Sequence, residues 1–371
     1  MSENVVNREK DNKLDTLLRV DNYTPEFDPE KEPILRVEHL KQYFKYTKAV
    51  DDVSFNIRKG EVFGLVGESG CGKTTTGRSI IGLYDITDGD VFFRGKRIGM
   101  GREAMKRWKK KFADAKAAGD TKLMAELKKD REIHSKLMTK IQMIFQDPVG
   151  SLDPRMTVRE IIAEGLKIRG IRDKRFIDDR VAEVLEKVGL VPEHAERYPH
   201  EFSGGQRQRI GIARAIVLQP DLIIADEPIS ALDVSIQAQV INLMNDLRDE
   251  MGLTIMFIAH DLSVVKYFSD RIGVMYYGRM VELADSDELF AHPLHPYTRS
   301  LLSAIPLPDP NYEKRRKRIT YVPSLAHDYS AEGPTFKEVL PGHFVLCNTA
   351  EFEKYQVEIA EMDANARAKQ Q

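Results

Sequence analysis

Gly67-Glu68-Ser69-Gly70-Cys71-Gly72-Lys73-Thr74 decides how this chain is read. The octet fits G-x-x-x-x-G-K-[ST] without a gap, and its surroundings fit as well. Residues 61–66 before it form a short apolar run of strand type, and the residues after it read as a helix to about Leu83. A Gly-rich turn between strand and helix lets backbone N–H groups point inward around phosphate oxygens. The helix N-terminus adds positive potential. In that chemistry the Lys73 ammonium reaches the terminal phosphates and the Thr74 hydroxyl meets Mg²⁺. Cys71 inside the loop lies near a helix N-terminus, where thiolate is favoured, although a small residue fitting a tight turn explains it as well. Alkylation of Cys71 is expected to block nucleotide binding.

Outward from the loop, short strands at 34–39 and 53–57 precede it, and a turn at Asp88-Gly89 and a strand at 91–93 follow. Residues 102–140 carry 13 Lys/Arg against 6 Asp/Glu, a balance of +7. Met105, Trp108, Phe112 and Ala115 recur at helical spacing, as do Leu123 and Leu127, with Ala118-Gly119-Asp120 between the runs. That is a helical hairpin with an apolar stripe and basic outer faces. It is either a solvated insertion packed on its own domain or a surface for a partner or anionic lipid. A mostly helical stretch runs over 158–211. The apolar run 222–225 then ends in Asp226-Glu227, and a helix over 235–250 leads to a second buried strand at 254–258. Continuous apolar strands alternating with helices predict an α/β fold with a mostly parallel sheet covered by helices.

Asp226 and Glu227 supply what the loop lacks. Asp226 belongs to the metal shell, through water, and Glu227 is placed to orient and deprotonate an attacking water. The composition excludes other classes. With 371 residues, 42% hydrophobic and 31% charged, the chain has matter for about two domains. A formal charge of −2 gives no whole-chain footprint for nucleic acid. Two cysteines, Cys71 and Cys347, make no disulfide framework and fit a reducing compartment. The start, MSENVVNREKDNK, lacks the apolar core of a signal peptide, and no stretch nears the roughly 18 apolar residues of a membrane span.

Phe202-Ser203-Gly204-Gly205-Gln206-Arg207-Gln208-Arg209, shortly before the acidic strand end, resembles the signature motif of the ABC ATPases. Gln146 resembles the Q-loop glutamine, Ser230-Ala231-Leu232-Asp233 the D-loop, and His260 the switch histidine. Phe44 stands about where the adenine-stacking aromatic does, with Tyr43 and Tyr46 as close competitors. The resemblance implies a P-loop NTPase cassette over 34–285, behind a loose lead-in at 1–33. Its RecA-like parallel core would carry an antiparallel β subdomain and a helical signature subdomain at 147–215, with 102–140 inserted. It implies ATP and Mg²⁺ as ligands. Phe44, Gly67, Ser69, Gly70, Cys71, Gly72, Lys73, Thr74 and Thr75 would bind the nucleotide, and Thr74, Gln146 and Asp226 the metal. Glu227, His260 and Gln146 would be catalytic. Ser203, Gly204, Gly205 and Gln206 would act on the ATP of an opposite cassette, with Asp233 in the D-loop.

The tail narrows the resemblance. His292-Pro293-Leu294-His295-Pro296-Tyr297-Thr298-Arg299-Ser300-Leu301-Leu302, then Ala304-Ile305-Pro306, resembles the extension (286–371) of oligopeptide and dipeptide importers, and the phrases after Gly67 and Gln146 resemble their second ATPase subunit. Beyond 285 the chain is Pro-, charge- and loop-rich, with a basic cluster at 314–318. His292 and His295 read as a turn anchoring the tail, or less simply as metal ligands. Many relatives carry an iron–sulfur cluster in this tail. With Cys347 its one thiol, no four-cysteine cluster is expected here. The resemblance implies a peripheral ATPase on the cytoplasmic face of the cell membrane. Its partners would be a second ABC ATPase, two membrane permeases and an extracytoplasmic peptide-binding protein, with no nucleic acid. The alternatives are a same-subfamily importer of nickel or another small solute, and a soluble ABC ATPase acting on DNA or ribosomes.

Overall fold

The computed structural model describes residues 32–305 and 319–370; the basic cluster 314–318 and nearly all of the lead-in lie outside them. The chain begins β1 (Leu35–Phe44), β2 (Thr47–Ile57), β3 (Val62–Val66), α1 (Lys73–Ile80), β4 (Asp88–Phe93) and β5 (Lys96–Met100). It continues α2 (Arg102–Ala117), α3 (Thr121–Asp130), β6 (Ile141–Ile144), α4 (Val158–Ile168), α5 (Lys174–Lys187), α6 (Gly204–Ile216) and β7 (Leu222–Asp226). Next come α7 (Val234–Met251), β8 (Thr254–Ala259), α8 (Leu262–Phe268), β9 (Arg271–Tyr276), β10 (Arg279–Asp285), α9 (Ser286–Ala291) and α10 (Pro296–Ala304). A single turn α11 (Pro323–Ala326), then β11 (Thr335–Leu340), β12 (His343–Cys347) and α12 (Thr349–Gln370) close it. The residues group into two compact units.

The first unit comprises 32–40, 54–60 and 77–256. There the end of β2, the start of β1, β4 and β5 stand in that order as a sheet. Leu35 and Val37 are buried with Arg36 exposed between them, the period-two pattern of a half-covered sheet; at His39, with φ +50°, the alternation slips by one residue and Leu40 is the next buried position. Asp88 and Gly89, expected as a turn, lie inside β4, and the Gly89 carbonyl accepts Gly101 N–H at 2.8 Å. β5 escaped prediction because Lys96 and Arg97 break its apolar pattern. β6 and β7 pair in parallel, Ile141 opposite Leu222 and Ile144 opposite Ala225. All five residues of β7 are buried.

Helices α4 to α6 pack together over residues 158–216 of this unit. Thr157 and Glu160 close a reciprocal cap on α4, satisfying donors that a helix start otherwise leaves open. Ile161, Ile162 and Leu166 of α4, Val181 and Val184 of α5 and Ile210 of α6 are buried. The predicted hairpin is α2 and α3. Its stripe turns inward: Trp108 stacks on Phe112 at 5.1 Å and its Nε1–H donates to the Leu127 carbonyl at 2.8 Å. Leu123 departs from the predicted stripe: it lies in the first turn of α3, where its N–H donates to the Asp120 cap, and its side chain is exposed, while Leu127 one turn on is half-buried.

The second unit comprises 41–53, 61–76, 257–305 and 319–370. β3 pairs in parallel with β9, Phe63 opposite Arg271 and Val66 opposite Val274. β9, β10, β12 and β11 then continue antiparallel. The buried residues Leu294, Val345, Cys347, Tyr355 and Ile359 cluster beneath this hairpin. The loop-rich reading of the tail was therefore too sparse. Composition hid a five-residue alternation, His343, Val345 and Cys347 in and Phe344 and Leu346 half out, behind the Pro341-Gly342 turn.

Candidate functional site

In the second unit, β3 runs into the Gly-rich loop and α1 leaves it. Gly67 has φ +147° and Gly72 φ +107°, and a Cβ there would sit 2.2 Å from the Met275 carbonyl oxygen and 2.3 Å from that of Ala49. Both positions therefore require glycine, sterically and conformationally. The Cys71 carbonyl accepts Gly278 N–H at 2.9 Å, which ties the loop to the β9–β10 turn. Lys73 is buried, and its Nζ donates to the carbonyl oxygens of Gly67 at 2.7 Å and Glu68 at 3.0 Å. Its ammonium is thus folded back over the loop instead of extended into solvent. Ser69 and Gly70 are exposed, and Thr74 and Thr75 are half-buried in the first turn of α1.

Cys71 corrects an expectation. Burial pushes its thiol up, and the Lys73 ammonium 3.8 Å away pulls it down by less. The thiolate is disfavoured because desolvation outweighs the neighbouring charge. Phe44, at the end of β1, is 43% exposed and Tyr46 is 88% exposed. Tyr43 is differently placed: its hydroxyl donates to Asp51, and burial with that bond pushes it up to about 12. His260 follows β8 and is exposed, beside Asp261, which caps α8 through Ser263 N–H at 2.8 Å.

In the first unit, Asp226 ends β7 with no exposed surface, 3.6 Å from Arg78 of α1. Glu227 has φ +45°, a left-handed backbone that costs a non-glycine residue of order 1–3 kcal/mol. Gln146 Nε2 donates to Glu227 Oε2 at 2.9 Å, joining residues 81 apart in sequence. Sequence reasoning named both residues but not their bond, for which no local signal exists. Ser203 caps α6: its Oγ accepts Gln206 N–H at 3.3 Å, and Gln206 Oε1 accepts Ser203 N–H at 3.0 Å. Gly205 lies against α7, where a Cβ would meet Ile236 at 2.6 Å. Asp233 caps α7 through Ile236 N–H at 3.0 Å, and the Ser235 hydroxyl bonded to it holds its carboxyl below the usual range. Ser203 and Gly204 remain exposed at the start of α6, a helix N-terminus open to an anion.

The two tail histidines have separate partners. His295 is buried, its Nδ1 accepts Tyr297 N–H at 3.1 Å, and burial pulls it down to about 3, so it stays neutral. His292 Nδ1 sits 3.0 Å from Glu288. Glu282 holds the turn by accepting Leu294 N–H at 2.8 Å and His295 N–H at 3.1 Å, the anchoring reading of this segment. Among the described residues no group of His, Cys, Asp and Glu is arranged to hold a metal ion.

Comparison with known proteins gives the family. The ABC transporter family model matches residues 50–230, and the model for the oligopeptide/dipeptide transporter C-terminal region matches 281–338. The oligopeptide transport ATP-binding protein OppF of Bacillus subtilis is 58% identical over 329 residues, covering 87% of this chain and 99% of that protein. The oligopeptide transport ATP-binding protein AmiF of Streptococcus pneumoniae is 51% identical over 309 residues, 83% of this chain and 91% of that one. Among solved structures, cbiO1 from Clostridium perfringens, described as part of the ABC transporter complex cbiONQ, superposes with TM-score 0.55 at 25% identity, over 71% of this chain and 92% of that one. The ATP-binding cassette MJ0796, in a dimeric post-hydrolysis state bound to ADP and Pi, gives TM-score 0.53 at 25% identity, over 68% and 98%. The chain belongs to the ATP-binding proteins of the ABC transporter family, with the C-terminal region of its oligopeptide/dipeptide branch.

Proposed function

We propose that this chain is the ATP-hydrolysing, energy-coupling subunit of an oligopeptide importer, of the second ATPase type. The observation that carries the reading is the loop at Gly67–Thr74, two glycines no other residue can replace and a buried Lys73 held across it. Phe44 stacks the adenine. Ser69, Gly70, Cys71, Gly72, Lys73, Thr74 and Thr75 take the phosphates with backbone N–H, ammonium and hydroxyl donors. The Thr74 hydroxyl, the Gln146 side-chain oxygen and Asp226 through water are hard oxygen donors suited to Mg²⁺. When bound, that ion neutralises charge on the phosphate oxygens. Glu227 orients and deprotonates the attacking water, and Gln146, bonded to it, sets its carboxylate. His260 contacts the terminal phosphate.

Ser203, Gly204, Gly205 and Gln206, with Asp233 behind them on α7, serve the ATP of a second ABC ATPase, completing a sandwich that closes on ATP and reopens after hydrolysis. The cassette spans 34–285 with the hairpin 102–140 and the signature subdomain 147–215, and 286–371 is the importer-type extension. Among the described residues no helix is long and apolar enough to cross a membrane. On this reading the chain works from the cytoplasmic face on two separate permease subunits, with a peptide-binding protein delivering cargo. Two relatives named as oligopeptide transport ATP-binding proteins, 58% and 51% identical, support the oligopeptide assignment. The test is single-turnover hydrolysis of radiolabelled MgATP. Lys73→Ala should lose nucleotide binding, and Glu227→Gln should bind but not turn over. Parental turnover in Glu227→Gln contradicts the assignment of the base.

A further inference from the structure

The segment 292–302 plays no part in the nucleotide chemistry above, yet it delivers one side chain to the phosphate loop. Tyr297, in the first turn of α10, is 1% exposed, and its hydroxyl accepts Glu68 N–H at 2.9 Å. Glu68 N–H and Gly67 C=O belong to one planar peptide and point in opposite directions. At the opposite edge of that peptide, Gly67 C=O accepts the Lys73 ammonium at 2.7 Å. The following carbonyl, Glu68 C=O, takes the same ammonium at 3.0 Å. Tyr297 therefore grips at one edge the peptide that Lys73 leans on at the other. Gly67, at φ +147°, has no side chain to restrict that plane, which leaves the bonds at its two edges, from Lys73 and from Tyr297, to hold it.

Tyr297 is itself held by a cluster of rings in the same unit. Its ring centroid lies 4.4 Å from that of Tyr276 and 5.5 Å from that of Tyr321. The Tyr321 hydroxyl meets His327 Nε2 at 2.9 Å, and His327 Nδ1 meets Glu351, at the start of α12, at 2.6 Å. Tyr329 stacks on His327 at 5.0 Å. Burial pushes the Tyr297 phenol well above its ordinary range, so the hydroxyl stays neutral at any working pH.

We propose that Tyr297 is a positioning residue for nucleotide binding: its hydroxyl lets the C-terminal ring cluster fix the Gly67–Glu68 peptide and, through it, the Lys73 ammonium. The inference rests on the reading of this loop as the ATP phosphate site. It gives the importer-type extension a task inside the cassette, the preorganisation of the lysine that meets the phosphates.

The test uses the full chain with Tyr297→Phe, which keeps the ring and removes the oxygen. The Kd for MgATP, measured by displacement of a fluorescent ATP analogue, should rise about three- to tenfold, the effect of one hydrogen bond whose loss strands a donor. The melting temperature should stay near the parental value, and the Glu68 amide should exchange its hydrogen faster. Tyr276→Phe, which breaks no bond to the loop, should bind like the parent. Tyr321→Leu, which removes a supporting ring, should weaken binding in the same direction but less, and it provides the readout if Tyr297→Phe does not fold. Parental affinity and an equally protected Glu68 amide in Tyr297→Phe would overturn the proposal. So would a lowered melting temperature with unchanged Kd, the sign of a purely structural role. If the parental chain binds MgATP no better than Lys73→Ala, the phosphate-site reading itself falls and this inference with it.

Discussion

Glu227 combines a left-handed backbone with a side-chain bond to Gln146 at 2.9 Å. A strained residue persists only where its surroundings hold it, and such residues gather at reacting centres. On the account above, Glu227→Gln keeps MgATP affinity and lowers the hydrolysis rate by about 10²- to 10⁴-fold, the usual weight of a positioned general base. Equilibrium nucleotide binding and single-turnover kinetics on the same preparation check both halves. The thiols give a second prediction at this scale. Burial pushes Cys71 up, and pushes Cys347 up to about 11. Native protein at pH 7.5 should therefore react slowly with a disulfide reagent at both of its 2 cysteines and quickly once unfolded. An immediate one-thiol burst from the native chain would contradict it. The candidate site was chosen from the sequence, because phosphate chemistry demands fixed residue types at fixed spacing. The bonds between distant residues were not legible there, since the Gln146–Glu227 pair and the Glu68–Tyr297 pair are made by the fold alone.

At the scale of elements, β12 lies against β10 through a buried charge cluster. His343 is fully buried, with Nε2 2.9 Å from Glu282 and Nδ1 3.2 Å from Glu288, which also meets His292 at 3.0 Å. Burial alone would lower its pKa, but the bonds and charges of Glu282 and Glu288 outweigh burial and the pKa is raised. The folded state thus holds this proton more tightly than the unfolded chain. The contribution is complete below the unfolded value near 6.5 and is lost as pH rises through the raised folded value. His343→Gln should lower the melting temperature most at pH 6, with the gap to the parent shrinking by pH 9. A gap that grows with pH would reverse the sign of the argument. Ser203 is testable in the same way. Ser203→Ala should cost about 1 kcal/mol through the lost cap on α6, read by chemical denaturation, while MgATP binding to this chain alone stays unchanged. Elements bounded by long apolar runs, such as β7 and β8, were plain in the sequence. β5 and β11 were not, because Lys96, Arg97, Lys337 and Glu338 interrupt their apolar pattern, and β12 was not, because its five residues are short and sit in a Pro- and charge-rich tail.

At the scale of the whole molecule, the family was legible because six motifs occur in one order along the chain. The tail at 292–306 also carried the oligopeptide and dipeptide class, which the match of its C-terminal region and the names of relatives bear out. The central claim is that this chain works on membrane subunits beside a second cassette. Its most direct test is affinity purification of the tagged chain from gently solubilised membranes, with and without MgATP, and identification of what accompanies it. The account predicts two multispanning proteins and one further ABC ATPase, with the association strengthened in Glu227→Gln plus ATP. Recovery of ribosomes or DNA with no membrane protein would contradict it.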